Sequence, residues 1–67
     1  MPKIRMKIPI SGTVSVGNGR TYDSLKRGQV IEADERTTHQ YLTAGYAQTD
    51  LTGPLGQPGK PEAVPNW

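Results

Sequence analysis

Acid–base or metal chemistry in this chain of 67 residues would have to come from very few side chains. His39 is the single histidine and Cys is absent. Disulfides, a thiolate nucleophile and a conventional structural zinc site therefore have no residues to build them. His39 stands among Thr and Gln, five residues from Asp34, and reads as a partly exposed surface histidine. Asp34 and Glu35 are adjacent carboxylates, a pairing that acid–base and metal chemistry use. Their place just ahead of a helical segment makes capping and dipole compensation the better reading. The run Val16-Gly17-Asn18-Gly19-Arg20 resembles a fragment of a phosphate loop. It lacks the following Gly-Lys-Ser/Thr and the helix whose N-terminus would hold the phosphate, so a hairpin turn accounts for it. The expectation is a protein with no enzymatic activity, no metal and no cofactor.

Two other sets of residues are suited to binding. Lys3, Arg5 and Lys7 alternate with apolar residues and would project together as a basic docking face, with Arg20, Lys26 and Arg27 nearby. Such a patch suits a protein partner, and it also suits nucleic-acid phosphates. Against nucleic acid, Phe is absent and only Tyr22 offers a stacking ring among the expected strands. The second set lies in residues 50–67, where four prolines and three glycines fall within 18 positions. This spacing prohibits helix and sheet and favours an extended, polyproline-like arm. Leu51, Pro54, Leu55, Pro58, Pro61, Val64, Pro65 and Trp67 are its candidate partner-binding residues. Trp is a large apolar anchor enriched at binding hot spots, and proline lowers the entropy lost when an arm binds. Pro58-Gly59-Lys60-Pro61 also makes a P-x-x-P sequence, which leaves open an adaptor whose arm is a peptide ligand.

These residues must be positioned by a small domain, expected over residues 1–49. Residues 3–10 alternate with period two, Ile4, Met6, Ile8 and Ile10 on one side, which predicts a strand. Pro9 cannot donate a ladder hydrogen bond and places that strand at a sheet edge. Residues 13–16 form a short β-branched run, and Gly17-Asn18-Gly19 supplies a tight turn. Residues 20–22 return as its partner. Residues 23–28 read as a loop, residues 29–33 as a further strand and residues 46–49 as a last one. Between these, Asp34 is a good N-cap and Gly45 a good C′ residue, bracketing a helix over residues 35–44. Thr38, Tyr41, Leu42 and Gly45 form its inward stripe. The fold class expected is a β-rich α+β domain: a small antiparallel meander or an SH3-like barrel with one short helix, followed by the extended arm.

Composition bounds the rest. Hydrophobic residues are 33% of the chain, so the core is small and association with a partner is the one staple left. Residues 1–27 carry six cations against Asp23, a balance of +5, and residues 28–67 carry −3. That polarity suits docking to charged protein surfaces or to further copies of the chain. No apolar stretch approaches the roughly 20 residues of a membrane span, and the chain opens directly on its alternating segment. A protein made in a cytoplasm, without a membrane partner, is expected.

Taken in order, KIRMKIPISGT, GRTY, KRGQVIEAD, a short helix and LTAGYAQ resemble small virion structural proteins of tailed bacteriophages, particularly those infecting actinobacteria. In that pattern a basic opening strand ends in an S-G-T-like turn, and a strand of the form G-x-V-I/V-E/D follows. A helix ending A-A-G-Y/L-A then closes the domain. The resemblance spans residues 3–48 and leaves out the arm. Thr37, Thr38 and Thr43 depart from an Ala/Leu-rich helix. The resemblance implies a minor capsid, decoration or head–tail protein, located in the virion, without a catalytic site. Its partners would be the major capsid protein, other virion subunits or copies of itself, with the arm along a neighbouring subunit. Removing the arm would then leave the domain folded.

Overall fold

The computed structural model describes residues 2–17 and 19–64. In chain order the elements are β1 (Lys3–Met6), β2 (Val14–Ser15), β3 (Thr21–Tyr22), β4 (Val30–Glu32), α1 (Glu35–Ala44) and β5 (Ala47–Gln48). The protein is a small α+β domain with a short antiparallel sheet and one helix. The elements fall where the alternation and the turn residues predict them, most of them shorter than expected.

The position of β1 is the main correction. It is the central strand of a three-stranded antiparallel sheet ordered β4-β1-β5, not an edge strand. Pro9 does not forbid this, because the strand ends at Met6 and Pro9 lies beyond the ladder. Neither pairing of β1 is with its neighbour in sequence, so the sheet is not a meander. The local hairpin, β2 with β3, is a separate two-stranded sheet. Its turn is closed by Arg20 N–H donating to Gly17 O at 2.9 Å.

Register sorts the side chains by face. Ile4 lies opposite Ile31, and Met6 opposite Ala47. All four are buried, joined in one core by Val14, Val16, Leu25, Ala33 and Leu42. Leu25 sits within the expected loop over residues 23–28 and is nonetheless core, because its backbone bridges Ile10 in both directions at 2.9 Å. Ile8 and Ile10 pack against the same cluster from outside the strand.

The helix is bounded as predicted. Asp34 Oδ1 accepts from Thr37 N–H at 2.8 Å, satisfying one of the free donors of the first turn. Gly45 adopts φ +80°, Gly45 N–H donates to Leu42 O and Tyr46 N–H donates to Tyr41 O. This pair of bonds is the Schellman ending. Its hydrophobic contact is supplied by Tyr41 and Tyr46, whose rings meet edge to face at 6.0 Å. Thr38 and Leu42 are fully buried, Gly45 is buried and Tyr41 partly so, as the stripe predicts.

Candidate docking surface

The other face of the sheet is built from β1 and β5. Arg5 lies directly opposite Gln48, and cross-strand partners share a face. Across β4, Val30 and Glu32 continue it. Lys3, Arg5 and Lys7 alternate with Ile4 and Met6 as expected, but only Lys3 is exposed. Lys7 keeps 4% of its surface, and Arg5 is half-buried. They are not a free basic face.

Residues 50–64 are what cover them. Arg5 Nε donates to Gly28 O at 3.1 Å and its Nη1 to Gly53 O. Lys7 Nζ donates to Lys60 O at 3.0 Å. Gln48, 5% exposed, is the hub between them: its Nε2 donates to Asp50 O at 2.8 Å and Pro54 O at 3.4 Å. Its Oε1 accepts from Gly56 N–H at 2.8 Å. A buried amide is costly unless bonded, and here both of its ends are used.

The segment is tied to the helix end as well. Gly59 N–H donates to Gly45 O and Glu62 N–H to Leu42 O, each at 3.0 Å. Glu62 Oε2 accepts from Thr49 N–H at 2.9 Å. A methyl group on Gly45 would stand 2.4 Å from the carbonyl carbon of Gly59 and 2.5 Å from Lys60 N. Gly45 is therefore required twice, by its left-handed φ and by the closeness of the passing chain. The arm, expected to project toward a neighbour, is in its described part a strap laid across its own domain.

The predicted arm residues divide accordingly. Val64 packs against the core. Leu55 Cδ1 lies 3.6 Å from where a Gly28 side chain would begin, and Leu51 is half-buried. Pro54, Pro58 and Pro61 are exposed. Pro65 and Trp67 lie outside the described residues. His39 is exposed on the helix, as expected. Among the described residues no group of three His, Cys, Asp or Glu side chains is placed to hold a metal ion, and no helix is long and apolar enough to cross a membrane.

Sequence reasoning missed Gln48. Its one signal is position: a polar residue at the end of the last strand, just ahead of the composition shift at Asp50. Asp50 itself opens the strap by accepting from Thr52 and Gly53 N–H at 3.1 and 3.0 Å. Those amides, Gly53 first, hold its carboxyl below the ordinary range, with Arg5 adding to the effect. Thr37 N–H does the same for Asp34. Burial raises the Tyr41 hydroxyl above its usual value.

No protein-family model matches the chain, and neither the curated proteins nor the solved structures contain a significant match to it.

Proposed function

We propose that the protein is a virion structural component of a tailed bacteriophage, a minor capsid or decoration protein that binds the major capsid protein or neighbouring copies of itself. The observation that supports this reading is where the segments that carry the resemblance fall. KIRM is β1, VIE is β4, and LTAGYAQ is the helix end with β5. These segments are the three adjoining strands and the glycine turn that joins helix to sheet, while GRTY supplies β3 of the separate hairpin. The SH3-like reading of the domain belongs to the same proposal. It rests on the Ile10–Leu25 bridge and on Asp34 N–H donating to Val16 O at 3.0 Å, which connect the hairpin to the chain around the sheet. In this role the protein carries no catalysis and resides in the particle.

Mass spectrometry of purified particles, with stoichiometry, tests the reading. Hundreds of copies per particle are expected for a decoration protein, and about a dozen for a head–tail junction component. Absence from particles in which the other virion proteins are detected would overturn it.

A further inference from the structure

We infer that the face formed by Arg5, Lys7 and Gln48 is a receptor for the segment of residues 53–60, and that it takes this segment from a second copy of the chain by exchange. Arg5, Lys7 and Gln48 engage Gly53 O, Lys60 O, Pro54 O and Gly56 N–H. All of these strap partners are backbone groups, so recognition is of the main chain of a Gly/Pro segment that turns at Gly59, φ +82°, whichever molecule carries it. The chain passes so close to Gly45 that a Cβ there would meet Gly59 and Lys60, and Gly45 O receives Gly59 N–H.

The connection is suited to exchange. Strap and receptor are joined by residues 49–52 alone, closed into a turn by the Asp50 carboxylate. Opened out, four residues span about 13 Å, enough to pass the strap to a copy lying alongside. The same bonds then form between molecules, and the exchange needs no new contact. A short tether holds the strap near its own receptor at an effective concentration on the order of mM. Exchange is therefore silent in dilute solution and sets in where copies are packed at comparable density. The inference rests on the assembly reading only for where such packing arises. Particle composition tests that reading, and the experiment below tests this one.

The experiment uses the isotope-labelled full chain and an unlabelled synthetic peptide of residues 49–64. The expected result is that the peptide, at mM concentrations, displaces the tethered strap. The Gln48 side-chain amide and the Gly45 backbone amide shift, and the amides of Gly53, Gly56 and Gly59 move toward unstructured values. A peptide carrying Gly56→Pro, which lacks the N–H that Gln48 accepts, binds about tenfold more weakly. Because the substitution is in the peptide, the fold of the receptor is not at stake. Sedimentation of the full chain alone shows a monomer near 10 μM and dimers growing toward about 1 mM, the scale of the tether's effective concentration. Equal shifts from a scrambled peptide, no displacement at tenfold peptide excess over that scale, or a monomer throughout would each overturn the inference.

Discussion

Gly45 and Lys7 each carry more than their residue type announces. At Gly45, alanine must adopt a left-handed backbone and also meet Gly59 and Lys60. The first effect alone is worth about 1–2 kcal/mol, and the second displaces the strap. Gly45→Ala is thus expected to lower unfolding stability by about 2 kcal/mol or more, read from the urea midpoint. Lys7 is buried along its stem, and Nζ has a neutral carbonyl as partner. The stem is the larger contribution, because it fills the space beneath Gly56. Lys7→Met is expected to stay within about 1 kcal/mol of the parent, whereas Lys7→Ala loses about 2 kcal/mol. Equal losses for the two would show that the charge, not the stem, matters.

Among the elements, the start of the helix and the strap turn carry the carboxylates that couple stability to pH. Asp34 and Asp50 both accept backbone N–H bonds that hold their folded-state pKa below the ordinary value. Their contribution is present above the unfolded value of about 3.9 and is lost as pH falls through the depressed folded value. Thermal melts should be flat in this respect near neutrality and fall below about pH 4. The double substitution Asp34→Asn with Asp50→Asn keeps acceptors at both turns and should flatten that acid decline. A decline of unchanged steepness would place the acid sensitivity elsewhere. Helix limits were legible because a cap and a C′ glycine are local signals. The centrality of β1 was not, because a proline three residues past the strand looks the same in sequence as one within it.

For the molecule as a whole, the strap changes what truncation means. The Cα radius of gyration is 10.7 Å, close to the about 10.9 Å expected of a compact chain of this length. A loose arm of this length would raise it. A chain ending at residue 48 leaves Gln48 and Lys7 uncovered and removes Val64 from the core edge. It is expected to melt at a lower temperature than the full chain, with a shallower denaturant slope. A truncated chain melting with the full one would restore the picture of a separable arm. The basic half of the chain is likewise altered, since Arg5 and Lys7 are spent internally. Exposed charge at β1 is left to Lys3, and at the preceding turn of β4 to Lys26 and Arg27.

By itself the sequence determined the elements: alternation placed β1, Asp34 and Gly45 bounded the helix, and proline spacing marked where regular structure stops. These are signals between residues a few positions apart, where backbone stereochemistry and capping act. Only the tertiary structure decided which strand is central, which of three alternating cations meets water, and that residues 50–64 lie on their own domain. Arg5 and Lys7 find partners 23 to 53 positions away along the chain. Carbonyls exist at every residue, so no residue type marks which of them a buried Arg, Lys or Gln will find.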